Sequence, residues 1–295
     1  MAAPYTGTGS SGEAIIRGID IDKLAKGYAD EEFIFRQFLT VTPTSAREIR
    51  WYKKTAGILD STDTTGITGS QLANTAALAL PEVIEDSWTR ATSYVRKFFV
   101  ESPWISYEDI SDTDPDILAT NVRDLTRSIA NQIDKHIYTS LSGGIMLSGT
   151  GMGTGWDDTT NGDPILDLLS GAMAIRSQSY DVGNLVVLMS PTAYKHLLRY
   201  IITTKGSSIP AFASQTAQTG VLTSVIGQRI VVSNNCTDNW VVQIVPQRVA
   251  TWKTFVPITA QTKDEVGIGV KIRVWEEGEF LLTDPYAGHV ISAGI

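Results

Sequence analysis

The sequence predicts an α+β protein, and three observations carry that reading. One 27-residue stretch holds a regular helical stripe, alternating strand-like segments stand before and after it, and a helix–strand–helix passage lies between. At 295 residues the chain is long enough for one large domain or two intimate ones. Hydrophobic residues make up 42% and charged residues 19%, which supports a buried core and excludes wholesale disorder.

The elements follow in order. Residues 1–12 (MAAPYTGTGSSG) are too polar and small to offset the entropy of ordering, so they are expected to be mobile or held by a partner. Segment 13–40 reads as an extended arm with one short helix near 30–39, where the two glutamates after Asp30 suit a helix N-terminus. Residues 46–55 (AREIRWYKKT) alternate, with Ile49 and Trp51 on one face and Arg50 and Tyr52 on the other. Residues 56–80 are rich in Thr, Ser, Gly and Ala, a tip longer than compact domains usually carry; it is either a surface loop or an arm ordered by a neighbouring molecule. Residues 87–100 (SWTRATSYVRKFFV) read as the returning strand.

The helix is the clearest element. Asp114 fits an N-cap and Pro115 the first helical position. Leu118, Val122, Leu125, Ile129, Ile133, Ile137 and Leu141 then recur at steps of three and four, and Gly143 and Gly144 end the pattern. Over 115–141 the rod is about 40 Å long and needs a packing partner along its whole stripe. Beyond it, 164–177 reads as a helix, 184–189 (NLVVLM) as a buried strand, 191–202 as a helix opened by Pro191, and 203–220 as a loop. Strands are expected at 229–233 and 240–245, with Asn234 and Asn235 turning between them. Two more, at 266–274 and 279–283, flank a hairpin turn at Glu276-Glu277-Gly278, and 287–295 is apolar enough to join a sheet.

Much chemistry is disfavoured by composition. The net charge of −8 lacks the basic footprint of a protein that grips phosphate backbones. Cys236 is the only cysteine, so no internal disulfide or thiolate metal cage is available. No stretch approaches the roughly 20 apolar residues of a membrane span. His136, His196 and His289 are far apart in sequence and form no metal or catalytic motif. The glycine run 149–155 follows a helix and lacks a phosphate-loop ending, so it reads as a flexible connection. Acidic residues at 108–116 read as a solvated loop and helix N-terminus rather than paired catalytic carboxylates. No catalytic residue, cofactor or metal ligand is expected.

The order of these parts resembles the tailed-phage major capsid proteins of the Hong Kong 97 fold. The likeness is carried by the passage YVRKFFVESPWISYEDISDTDPDILATNVRDLTRSIANQIDKHIYTSL (94–141), by NLVVLMSPTAYKHLLRYI (184–201), by GVLTSVIGQRIVVSNN (220–235) and by KIRVWEEGEFLLTDPYAGHVI (271–291). It implies an N-terminal arm (1–45), an extended β-hairpin loop (46–90), a peripheral domain (91–160 and 261–295) with a spine helix (115–141), and an axial domain (161–260). Residues 220–235 would be a small-domain helix, glycine and strand. The resemblance further implies hexamers and pentamers closed into an icosahedral shell around double-stranded DNA, located in the virion and assembled in the host cytoplasm. Separate scaffolding, portal and decoration proteins would be partners, and no membrane. Trp51, Tyr52, Glu276, Glu277, Ile209 and Phe212 are the expected subunit-interface residues. The extended loop would bury Trp51 and Tyr52 over a neighbour. Glu276 and Glu277, at a hairpin tip near a threefold contact, would meet an intersubunit Arg or Lys. Lys53 and Lys54 have no identifiable crosslinking partner, so that family chemistry is not carried over. The alternatives are a cellular compartment shell of the encapsulin type, whose N-terminus would more naturally be a helix, and an α/β enzyme without a recognisable motif.

Overall fold

The computed structural model describes residues 25, 33–54, 88–112, 117–150, 155–158, 160–204, 222–238 and 240–292. In chain order the strands are β1 (Thr40–Pro43), β2 (Glu48–Lys54), β3 (Trp88–Tyr94), β4 (Arg96–Glu101), β5 (Ile105–Ser106), β6 (Leu147–Thr150), β7 (Val186–Met189), β8 (Ser224–Val225), β9 (Gln228–Val232), β10 (Trp240–Ile244), β11 (Thr251–Glu265), β12 (Gly269–Leu281) and β13 (Gly288–Ser292). They form three sheets: a five-stranded sheet ordered β1-β11-β12-β4 with β5 on the end of β12, a six-stranded sheet ordered β6-β13-β10-β7-β9-β8, and the β2–β3 pair.

The long helix (Ile117–Gly144) lies on the five-stranded sheet. Val122, Ile129, Ile133, Ile137 and Leu141 are fully buried, and Leu118 and Leu125 pack at the margin of the same core. The receiving face is set by strand alternation: Ile272 and Val274 of β12 and Phe98 and Val100 of β4 point to the helix, while Lys271, Arg273, Trp275, Lys97 and Phe99 point away. The helix ends beside the residue that follows β12, where a Cβ on Gly144 would come within 2.6 Å of the Leu282 side chain.

The six-stranded sheet is built around β7, all four residues of which are buried, as a central strand requires. Two flanking helices begin alike. Asp163 caps Pro164–Ser177 by accepting from Leu166 N at 3.0 Å, and Ser190 caps Pro191–Arg199 by accepting from Ala193 N at 3.2 Å. In both a proline occupies a first-turn position that needs no N–H donor.

Several expectations are corrected. The helix near 30–39 is, among the described residues, a single 3₁₀ turn (Arg36–Phe38); Phe35, Phe38 and Leu39 are buried as anchors, and the β-branched run after them pairs in parallel with β11. The strand at 87–100 breaks at Val95 into β3, which pairs with β2, and β4, which pairs with β12. Residues 251–265, unassigned by pattern, form the long strand β11; Pro257 sits where the register shifts between Val256 and Thr259, a bulge that tolerates its missing N–H. Glu276-Glu277-Gly278 is not a turn but the middle of β12, and the chain reverses instead around Gly267, at φ +78°. Gly278 is needed for another reason: a Cβ there would lie 2.6 Å from the Trp252 ring. Residues 224–232 form a hairpin through Ile226 and Gly227, both at positive φ, in place of a helix before the strand. Gly149, expected in a flexible connection, belongs to β6.

Sheet membership also cuts across the expected domain limits. The first part of β11 falls in 161–260 yet belongs to the five-stranded sheet, and β6 and β13 join the six-stranded sheet. The 56–80 tip, the Asp114-Pro115 cap, and Ile209 and Phe212 lie outside the described residues.

Candidate functional site: the root of the two-stranded hairpin

Four of the six residues singled out from sequence lie on or beside the β2–β3 hairpin. Its ladder runs from Glu48↔Tyr94 to Lys54↔Trp88 without a slip. On the inner face Ile49 is buried and Trp51 half-buried against the main core, and the Trp51 indole N–H donates to Ser93 Oγ at 3.0 Å. On the outer face Tyr52, Trp88 and Tyr94 are 61%, 51% and 67% exposed, beside Arg50 and Arg90. The alternation read from the sequence therefore places Trp51 and Tyr52 on opposite faces: Tyr52 is open to a partner, while Trp51 is partly used within its own chain.

The root of the hairpin is held by a row of carboxylates on β12. Val95 N donates to Arg47 O at 2.9 Å, closing the base of the ladder. Arg47 Nη2 lies 3.2 Å from Glu277 Oε2, with its guanidinium 5.0 Å over the Phe255 ring, and Lys97 Nζ stands 3.9 Å from the other Glu277 oxygen. Glu279 faces Arg96 Nε at 3.2 Å and His136 Nε2 of the long helix at 3.6 Å. At the far end of the hairpin, Lys54 N donates to Thr283 O at 3.1 Å.

Glu276 faces the N-terminal segment. It is fully buried and accepts from Arg36 Nη1 at 2.8 Å, while Arg36 Nη2 donates to Thr254 Oγ1 at 3.1 Å. Arg36 is sandwiched between the Phe33 ring, 4.8 Å away, and the Trp252 ring, 5.8 Å away. Burial pushes the Glu276 carboxyl above its usual range, and the Arg36 charge and the neighbouring Trp252 indole pull it back. The same segment is gripped by Asp134 of the long helix, which accepts from Ile34 N at 2.9 Å and Phe35 N at 3.3 Å. Burial raises the Asp134 carboxyl to about 6 against the lowering effect of those two N–H groups.

Sequence reasoning expected Glu276 and Glu277 on an exposed tip, awaiting a cation from a neighbour. That expectation is corrected: both are buried, and their cations come from Arg36, Arg47 and Lys97 of the same chain. A buried carboxylate needs a charged partner, so a Glu-Glu-Gly-Glu run inside a strand pattern was the available signal for Arg36, Arg47 and Arg96, which were missed. Asp134, two residues before His136 on the helix, carried no such signal. Chemically the arrangement is a clamp. It fixes the arm segment, the hairpin root, β4 and the long helix to one strand. Among the described residues no group of three His, Cys, Asp or Glu side chains could hold a metal ion.

Long helix, two main sheets and projecting hairpin together define a capsid shell fold of the Hong Kong 97 type. The chain is similar to the virus-like particle protein of Pyrococcus furiosus, with TM-score 0.63 and 12% identity over 93% of this chain and 99% of the other. It is similar to a structure of Mycobacterium phage Che8, with TM-score 0.61 and 16% identity over 88% and 91%. A phage-related protein of Bordetella bronchiseptica RB50 matches with TM-score 0.60 and 15% identity over 93% and 96%. A sequence search of curated proteins finds no match. The profile of a phage capsid protein family matches residues 104–291, and the chain belongs to that family.

Proposed function

We propose that the chain is the major shell subunit of a tailed-phage head, a structural protein without enzymatic activity. Many copies form hexamers and pentamers that close into an icosahedral shell around double-stranded DNA. The family match over residues 104–291 is the observation that carries this reading. The five-stranded sheet with the long helix serves as the peripheral part and the six-stranded sheet as the axial part. Ile209 and Phe212, in the 203–220 loop, meet at the capsomer centre. The hairpin reaches over a neighbouring subunit and presents its outer, aromatic face, where Tyr52 and Trp88 stand exposed. The net charge of −8 suits a container that must not bind its cargo tightly. Assembly takes place in the host cytoplasm, with separate portal, scaffolding and decoration proteins as partners.

Electron microscopy of the expressed full chain tests this reading: closed particles support it, and a uniformly monomeric protein overturns it. The likeness to the Pyrococcus furiosus virus-like particle favours one second reading, a cellular compartment. Native particles filled with protein rather than nucleic acid would select that alternative.

A further inference from the structure

Two buried histidines, His196 and His289, lie in the layer of the six-stranded sheet, and two carboxyls that burial raises, Asp134 and Glu276, lie in the layer of the long helix. Strand register puts His289, Gln243, Val187 and Ile230 on one face of the six-stranded sheet. Leu168 of helix Pro164–Ser177 and Ala193 and Leu197 of helix Pro191–Arg199 cover that face. The His289 ring fits between two glycines. A Cβ on Gly171 would collide with Gln243 Oε1 and lie 2.9 Å from His289 Nδ1, and one on Gly149 would lie 3.1 Å from His289 Nε2. Gln243 Nε2 donates to Leu168 O at 2.8 Å and to Gln228 Oε1 at 2.7 Å, while Gln243 Oε1 and His289 Nδ1 are buried without a partner among the described residues. Strands β6, β10 and β13 carry no other titratable side chain, and Asp167, one turn before Gly171, accepts from the Trp156 indole at 2.8 Å. Burial lowers the His289 pKa with no charged group to restore it.

His196 stands among charges of its own sign. Its Nδ1 is also buried without a partner among the described residues. Burial lowers its pKa, Arg199 and Lys195 of the same helix lower it further, and Asp157 opposes them. Arg199 also ties this helix to the chain before Pro164, donating to Trp156 O at 3.1 Å and to Asp157 O at 2.7 Å. The other layer has the reverse arrangement. Asp134 faces the Ile34 and Phe35 N–H groups, the Arg36 charge and the Cys236 thiol, which burial keeps protonated. Glu276 faces Arg36 and the Trp252 indole. We propose that the fold responds to mild acid in two directions: as pH falls from 7 to 5, the helix layer over the six-stranded sheet loosens, while segment 33–38 locks more tightly onto the long helix and β12.

Proton linkage sets the two directions. Both histidines are neutral while buried, whereas an opened helix layer exposes rings that take up a proton at the ordinary value of 6.5. Their contribution to closure is present above pH 6.5 and is lost as pH falls, by up to about 25-fold per ring at pH 5. Asp134 acts oppositely. Its carboxyl moves from 3.8 when released to about 6 under the docked segment, so docking takes up a proton and strengthens about tenfold between pH 7 and 5. Glu276, raised by burial, adds in the same direction. Asp158, held low by the Thr160 N–H, and Glu101, held low by Lys271, lose their contributions only below pH 3.8 and 4.5, outside this range. The response belongs to the single subunit and is independent of shell formation.

Hydrogen exchange of free full-length subunits between pH 7 and pH 5, corrected for the intrinsic pH dependence of amide exchange, tests the proposal. Protection should fall at least about fivefold in 164–177, 191–199 and 288–292, and rise about tenfold in 33–38. The His196→Gln/His289→Gln variant should lose the first response and keep the second. Asp134→Asn should weaken the second and keep the first. Deuteration at the imidazole C2 of the unmodified chain, read by mass spectrometry, gives the pKa of each ring without any substitution, and both should titrate below 6.5. Rings that titrate at or above 6.5 would overturn the proposal. So would helices 164–177 and 191–199 whose protection does not change with pH, or two layers that shift in the same direction.

Discussion

Ile129 stands at the middle of the buried stripe of the long helix, with no exposed surface. Replacing it with alanine deletes three carbon groups. The lost transfer energy is about 2–2.5 kcal/mol at ~0.8 kcal/mol per buried methylene. A cavity term adds to this wherever the surroundings cannot close. Here closure is limited: the helix is held at its end by Gly144 against Leu282, and the floor residues Ile272 and Val274 are fixed by strand register on both sides. The expected cost is therefore about 3–4 kcal/mol, inside the range measured for buried large-to-alanine changes. Urea unfolding of free subunits reads it as a lower midpoint with an unchanged slope. Gln132→Ala, on the exposed side of the same helix, is the control and should stay within about 0.5 kcal/mol. A loss below about 1 kcal/mol at Ile129 would mean that the stripe is not the packing face and would remove the long helix from its place on the sheet.

Three further outcomes are expected. Arg36→Ala leaves Glu276 buried without its cation, so thermal or urea unfolding should show a loss of about 3–5 kcal/mol; a loss no greater than that of an exposed arginine would refute the clamp. Gly278→Ala forces a Cβ to 2.6 Å from the Trp252 ring and should cost about 1–3 kcal/mol by overpacking, seen also as a change in tryptophan fluorescence. The folded-state Asp134 carboxyl is raised from 3.8 to about 6, so its contribution to stability is fully present below pH 4 and is lost as pH rises through about 6. Asp134→Asn should remove that trend, worth up to about 3 kcal/mol, and unfolding midpoints that keep the same slope between pH 4 and 7 in the variant would contradict the assignment. His289, whose pKa burial lowers, acts in the opposite direction, with stability present above pH 6.5 and lost as pH falls below it.

The legible parts of the fold were those dictated by local pattern. The stripe from Leu118 to Leu141, the proline-led helices at Pro164 and Pro191 and the apolar β7 run all announce themselves through period or composition. What could not be read was set by partners distant in sequence. β11 hid behind Pro257, which only a bulge accommodates. The Glu-Glu-Gly run looked like a turn because its cations, Arg36 and Arg47, lie some 230–240 positions earlier in the chain. Gly278 looked like a turn glycine because nothing local reveals the Trp252 ring that excludes a side chain there. The aromatic character of the hairpin was visible, and so was the alternation separating Trp51 from Tyr52. Which face stays open follows from docking on the body, a tertiary fact.

The most direct measurement is cryo-electron microscopy of the purified full-length chain under conditions that favour assembly, with the mass of the particles determined in parallel. A shell subunit should yield closed particles built from clusters of five and six copies, with the two-stranded hairpin of each copy lying across its neighbour. A protein that remains monomeric at all concentrations, or that associates with the hairpin free, would contradict the assignment of this chain as the wall of a shell.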